Sequence, residues 1–207
     1  MSTLTVEQVL AHPIVAALDP NRRAYVGVRW LSPRLNPWAG KGIRLGIAVT
    51  FLDGLPHIKA VAAYGMLMDE FRHGRLANIS TLVVPSSGNT ADAVARLAPA
   101  FGIRQVKLFM SSDVPATKRN LIAAIASSRV ISPEAGSNVE AAACEEARLP
   151  GHYLLDQYGH AGNVAIHESC TGPRLLEAAG GRIDVVAIGM GSSGTVTGVA
   201  RHLKVVS

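Results

Sequence analysis

Two short segments of this chain order small residues, hydroxyls and amides in the way that holds an anion: Ser86-Ser87-Gly88-Asn89-Thr90 and Gly189-Met190-Gly191-Ser192-Ser193-Gly194-Thr195. Each follows an apolar run that reads as a strand, Leu82-Val83-Val84-Pro85 in the first case and Ile183 to Ile188 in the second. Each then leads into a run that reads as a helix, Ala91 to Phe101 and Val196 to Lys204. At such junctions free backbone N–H groups and the positive end of the helix dipole favour phosphate or carboxylate. Small residues matter because a side chain would hold the anion away from the backbone. One loop of this kind is most simply a turn, but two on one chain imply a ligand gripped at both ends. A third residue with chemical potential is Lys59, at the head of an apolar helix in Gly54-Leu55-Pro56-His57-Ile58-Lys59-Ala60-Val61-Ala62. Desolvation there makes the neutral, nucleophilic amine easier to reach. The plainer reading is a lysine that lays its stem along an apolar surface.

The elements that must position these residues alternate. Ala24 to Trp30 and Ile43 to Phe51 read as strands, and Ile58 to His73 as a helix stopped by Gly74. Strand Thr81 to Val84, helix Ala91 to Phe101, strand Val106 to Met110 and a helix from Ala116 to Ala126 follow. Strand Arg129 to Ile131 and helix Val139 to Arg148, capped by Ser137 or Asn138, complete that half. Alternation of this kind implies a parallel sheet covered by helices. From Pro150 to Pro173 the pattern loosens into Gly, His and Asn and reads as a connection between two lobes, after which Leu175 to Ala179 reads as a short helix.

Composition bounds the function. A chain of 207 residues buries a proper core. No apolar run approaches the roughly 20 residues of a membrane span, and the first residues lack the basic and apolar regions of a secretion signal, so a cytoplasmic protein is expected. The net charge of +5 comes from scattered Lys and Arg, with aromatic residues at only 5% and no nucleic-acid motif, which favours an acidic small molecule over nucleic acid. Cys144 and Cys170 have no metal-like or redox-like spacing, and the seven His residues show no zinc-protease pattern, so no metal is expected.

Two cofactors suit the second loop. Gly189, Gly191 and Gly194 fit the spacing of a dinucleotide-binding turn, but the acidic residue due about 20 positions later has no place in a sequence that runs only 13 residues past Gly194. Pyridoxal phosphate accounts for more of the chain. It needs a phosphate cradle, a lysine for its aldehyde and groups that orient the ring and an amino-acid carboxylate.

Three stretches resemble the cysteine synthase and cystathionine β-synthase family, the tryptophan-synthase-β-like (fold type II) pyridoxal phosphate enzymes. Pro85 to Thr90 resembles the family's Thr-Ser-Gly-Asn-Thr substrate loop and follows Lys59 at the family's interval. Tyr153 to Tyr158, then Asn163, His167 and Thr171-Gly172-Pro173, resemble Asp-Gln-Phe, Pro-Ala-Asn and Thr-Thr-Gly-Pro. Gly191 to Thr195 with Thr197-Gly198 resembles the Gly-Thr-Gly-Gly-Thr phosphate cradle. The resemblance implies an α/β fold of two lobes, each a twisted, mainly parallel sheet flanked by helices. Residues 53–150 would form the smaller lobe, and 1–52 with 151–207 part of a larger, incomplete one.

By the same resemblance Lys59 would be the Schiff-base lysine and would take the substrate's Cα proton, and Asn89 would bond the cofactor's ring hydroxyl oxygen. Gly191, Ser192, Ser193, Gly194 and Thr195 would wrap the phosphate, while Ser86, Ser87, Gly88, Thr90 and Gln157 would hold the substrate carboxylate. The implied reaction is β-replacement on an activated serine by a thiol or sulfide, in a homodimer. The alternatives are a catalytically silent relative lacking the family's last third and, more distantly, a dinucleotide-binding oxidoreductase. Several positions depart from the family pattern. Ala60-Val61 stands for Asp-Arg after the lysine, His57 for a small residue, Ala91 and Ser193 for glycines, and His160-Ala161-Gly162-Asn163 for Asn-Pro-Ala-Asn. At Ser193 the Cβ is expected either to crowd the phosphate or to strain a positive φ.

Overall fold

The computed structural model of the protein describes residues 4–21, 25–50, 52, 54–86 and 88–206. Two short helices that the sequence pattern did not announce come first, α1 (Val6–Ala11) and α2 (Pro13–Leu18). A capping box opens α1: Gln8 N donates to Thr5 Oγ1 and Thr5 N donates to Gln8 Oε1. β1 (Val26–Trp30) and β2 (Gly46–Thr50) then pair antiparallel in a two-stranded sheet.

The main sheet is parallel, with strand order β5-β4-β3-β6, from β3 (Thr81–Pro85), β4 (Gln105–Phe109), β5 (Ser128–Ile131) and β6 (His152–Leu154). Thr81 to Val84 are all buried, as a central parallel strand covered on both faces requires. Between the strands run α3 (Lys59–Arg72), α4 (Asn89–Leu97), α5 (Ala116–Ala123) and α6 (Val139–Glu146). Asn138 rather than Ser137 caps α6, through its side chain and the N–H of Ala141.

Ten of the fourteen residues of α3 are buried, so it is a central helix, apolar almost all round. It packs on α4 and on α7 (Ala161–Ile166). The contact with α7 depends on glycine: a Cβ at Gly65 would lie 2.5 Å from Ile166 Cγ2 and 2.7 Å from the carbonyl oxygen of Gly162.

That contact corrects the reading of residues 150–173 as a loose connection. They form β6, α7, a π-helical turn at His167–Thr171 and the start of α8 (Gly172–Ala178). Gly162 is there because two backbones approach closely, a Cβ on it standing 2.9 Å from the Gly65 carbonyl oxygen, whereas Gly151, at φ +76°, and Gly159 do lie in turns. The expected strand Ile183 to Ile188 also fails to form. This segment forms no regular element and pairs with no strand among the described residues, and Val185 stays 86% exposed, because a parallel strand exists only where a neighbour supplies its ladder. The helix expected after it is present as α9 (Gly194–Val206). Among the described residues no helix is long and apolar enough to cross a membrane.

Candidate active site

Lys59 is the first residue of α3, reached through a turn in which Gly54 takes φ +73° and the N–H of His57 donates to the carbonyl of Leu55 at 2.8 Å. The helix beyond it is core, so the side chain has one direction to go, forward past the helix end. Its Nζ donates to Ser192 Oγ at 2.7 Å, which brings the amine and the second glycine loop together across 133 residues of sequence. Burial lowers the amine's pKa from the usual lysine range, the condition under which a lysine becomes a nucleophile at moderate pH.

The loop itself has the expected features. Gly191 is exposed and Gly194 buried, and Ser193 has φ +64°, the one non-glycine residue with positive φ among the described residues. Gly194 and Thr195 open α9, whose first turn carries N–H groups that its own carbonyls cannot reach. Buried behind the loop is a chain of hydrogen bonds. Tyr25 Oη lies 2.6 Å from Thr171 Oγ1, Thr171 Oγ1 lies 2.8 Å from His167 Nδ1, and His167 Nε2 lies 3.2 Å from Thr195 Oγ1. Burial raises the Tyr25 phenol above its usual range, so it stays protonated beside Thr171. Burial first, and then the charge of Lys59, hold the pKa of His167 down to about 4, so this imidazole is neutral near pH 7. Beside Thr195 lies a cavity of about 350 Å³, lined chiefly by Val26, Thr50, Ile58, Leu175, Gly189 and Val199.

The first glycine loop lies at the end of β3. Ser86 N donates to the carbonyl of Phe109, Gly88 is the N-cap of α4, and Asn89 and Thr90 are its first two residues. Ser87 lies outside the described residues. Asn89 is exposed, and its side chain makes no hydrogen bond among the described residues. Thr90 is buried and donates to Gln157 Oε1 at 2.8 Å. Asn163 Nδ2 donates both to the carbonyl of Gln157 (2.8 Å) and to Ser192 Oγ (3.1 Å). The expected carboxylate loop, the expected cradle and the lysine are thereby joined in one continuous network, Thr90–Gln157–Asn163–Ser192–Lys59.

Three residues near this network were not singled out for a role by the sequence pattern. Asp92 accepts from His57 Nε2 at 3.3 Å and from Arg96 Nε at 2.9 Å, tying the turn before Lys59 to the helix that starts at Asn89. A carboxylate only accepts, so His57 carries its proton on Nε2, and its buried Nδ1 has no partner. Lys118, exposed on α5, places its ammonium 3.9 Å from where a Cβ on Gly88 would stand. It is a cation over the loop expected to hold a carboxylate. Asn163 is the third, visible in sequence only as part of a motif. Away from this network, Asp69, Glu70 and His160 gather ligand-type atoms within 4.8 Å. Glu70 is there committed to Arg75 Nη2 (2.9 Å) and His160 Nε2 (2.6 Å), in a polar staple between α3 and α7.

These parts suit a phosphorylated aldehyde. A desolvated lysine lies against a loop of small residues and hydroxyls at a helix N-terminus, and the other glycine loop, expected to hold an anion, is hydrogen-bonded to it through Gln157 and Asn163. Comparison with known proteins agrees. The family model described as pyridoxal-phosphate dependent enzyme matches residues 57–205. Cysteine synthase A of Escherichia coli K12 is 35% identical over 151 residues, which are 71% of this chain and 46% of that enzyme. Cystathionine beta-synthase of Dictyostelium discoideum is 29% identical over 160 residues, 74% of this chain and 32% of the enzyme. The crystal structure of an O-ureido-L-serine synthase superposes with a TM-score of 0.78 at 25% identity, covering 94% of this chain and 59% of that one. The chain thus spans about half or less of the length of these two curated relatives. The network around Lys59 and the match over residues 57–205 lead to the same place: the chain belongs to the family of pyridoxal-phosphate dependent enzymes.

Proposed function

We propose that this chain holds pyridoxal phosphate between Lys59 and the Gly191–Thr195 cradle and serves β-replacement on an activated serine, with a thiol or sulfide as incoming nucleophile. The observation that carries the reading is the Lys59 Nζ to Ser192 Oγ contact of 2.7 Å, because one cofactor must reach both residues. In this reading Gly191, Ser192, Ser193, Gly194 and Thr195 receive the phosphate, and Asn89, with its free carboxamide, meets the ring hydroxyl. Ser86, Ser87, Gly88, Thr90 and Gln157 orient the substrate carboxylate, with Lys118 adding charge from above. The bound cofactor supplies an electron sink for loss of the substrate's Cα proton and leaving group. The protein supplies position, exclusion of water and, at Lys59 Nζ, a base whose lowered pKa lets it accept that proton.

The division into a smaller lobe over residues 53–150 and a larger one from 1–52 and 151–207 belongs to the same proposal, as does a homodimeric, cytoplasmic protein. Free Cys144 and Cys170 suit a reducing compartment. A second reading, in which the chain binds the cofactor without turning over, has the exposed, unpaired segment 183–188 in its favour, since that segment leads directly into the cradle.

The test is titration of the purified chain with pyridoxal phosphate, borohydride reduction, peptide mapping, and an assay with O-acetylserine and sulfide. We expect the reduced adduct on Lys59 and its loss in Lys59→Ala with the fold retained. An adduct on another lysine, or none, refutes the site. An adduct on Lys59 without turnover selects the second reading.

A further inference from the structure

We infer that Asn163 is a positioning residue for the phosphate group: by donating to Ser192, it directs the Ser192 hydroxyl proton into the cradle. The inference rests on the proposed reading of residues 191–195 as a phosphate site.

Asn163 is buried on the first turn of α7, with 2% of its surface exposed. Its Nδ2 faces the carbonyl oxygen of Gln157 at 2.8 Å, and an oxygen that only accepts fixes which end of the carboxamide lies there. The same nitrogen donates to Ser192 Oγ at 3.1 Å, and that oxygen also receives Lys59 Nζ at 2.7 Å. A hydroxyl has two lone pairs and one proton. With both lone pairs engaged, Ser192 has only its proton to offer, and the acceptor that suits it is an anion in the loop. Lys59 is a temporary occupant, since an amine committed to the cofactor's carbonyl carbon no longer serves Ser192. Asn163 is the permanent one.

Two further observations show that this donor geometry is held against opposition. Asn163 Oδ1 is buried without a hydrogen-bond partner. Rotating the amide would not cure this, because it would set oxygen against the Gln157 carbonyl. Buried acceptors are seldom left unmet in native structures, so the two donor contacts must outweigh this one. The other observation is at Gly194, where a Cβ would stand 2.1 Å from Asn163 Oδ1. Any side chain at 194 would expel the carboxamide, so this glycine is required by Asn163 as well as by the anion.

The test titrates the apo chain in parallel with pyridoxal phosphate and with pyridoxal, which has the same ring and aldehyde and no phosphate. The ratio of the two affinities isolates the phosphate. Asn163→Asp keeps the shape but cannot donate when ionised; it accepts the Ser192 proton and adds negative charge. We expect the preference for the phosphorylated ligand to fall by about tenfold or more, with pyridoxal affinity nearly unchanged. Ser192→Ala should lose about as much, and the double variant little beyond either single one. An equal loss for both ligands in Asn163→Asp would mean a merely structural role and overturns the inference. If Asn163→Asp fails to fold, Ser192→Ala decides alone: a retained preference shows that the Ser192 proton is not directed at the phosphate. Failure of the underlying reading shows elsewhere, as an unsubstituted chain with no preference between the two ligands.

Discussion

Replacing Ser193 by glycine should make the free protein more stable. Ser193 has φ +64°, where a Cβ meets the following carbonyl at a cost of about 1 to 2 kcal/mol. Its side chain makes no hydrogen bond among the described residues, and its carbonyl's bond from the N–H of Thr197, at 2.9 Å, survives the change. Glycine relieves the strain but gains freedom in the unfolded chain, which returns roughly 0.5 to 1 kcal/mol of the benefit. The midpoints of these ranges leave a net gain of about 0.75 kcal/mol. A domain of this size moves by roughly 2 to 4 °C per kcal/mol, so the melting temperature should rise by about 1.5 to 3 °C. The assay is urea and thermal unfolding of the apo chain, with Ser193→Ala as comparison because alanine keeps the strain and loses only the hydroxyl. The order expected is Gly above Ser, with Ala within about 0.5 kcal/mol of Ser. If the glycine variant unfolds at or below the midpoint of the alanine variant, the positive φ stores no strain and the Cβ or hydroxyl of Ser193 stabilises the loop. Tighter pyridoxal phosphate binding by Ser193→Gly, about fivefold for 1 kcal/mol, is the companion expectation if the bound loop strains Ser193 more than the free one does; equal strain in both states leaves the affinity unchanged.

Gly65→Ala forces a methyl to 2.5 Å from Ile166 and 2.7 Å from the Gly162 backbone. It should cost about 3 kcal/mol, whereas Gly40→Ala, with nothing within 4 Å, should stay within about 0.5 kcal/mol of the parent in the same denaturation series. His167 takes up a proton near pH 6.5 when unfolded and only near pH 4 when folded. Its contribution is therefore full above pH 6.5 and is lost as pH falls towards 4, by about 3 kcal/mol. Urea midpoints between pH 7.5 and 4 should show a steeper loss for the parent than for His167→Gln, and parallel curves would sink the assignment.

Sequence was a good guide where local pattern and packing agree. β3 reads as a nearly unbroken apolar run because it is covered on both faces, β4 keeps Val106, Leu108 and Phe109 buried between the half-buried Gln105 and Lys107, and α3 announces itself by the apolar stretch after Lys59 and by Gly74, which takes φ +70°. The two glycine loops stood out as candidates because small residues ahead of a helix N-terminus suit an anion, although only the first of them follows a strand, and Lys59 stood out because it heads an apolar helix. Gly162 misled because a glycine that lets two helices touch looks, in one dimension, like a glycine that makes a turn. The run Ile183 to Ile188 misled because its composition satisfies a strand while the ladder must come from elsewhere. Asp92, Asn163 and Lys118 went unassigned because their partners lie far away in sequence: His57 is 35 positions from Asp92, and Ser192 is 29 from Asn163. No spacing rule reaches that far.

The burial of α3 has a consequence for how the site responds to its ligand. Amide hydrogens in a helix so enclosed exchange with solvent only through large-scale opening, and α3 cannot slide without separating Gly65 from Gly162. Lys59 is therefore mounted on a slow-exchanging segment, while residues 181–191 beside it are largely exposed and bound into no regular element. Deuterium uptake should divide the site into a fixed half and a yielding half. If pyridoxal phosphate binds as proposed, exchange should slow at the start of α9 and in the loop before it and stay unchanged in α3, the lysine's mount being set before the ligand arrives and the loop's shape only afterwards.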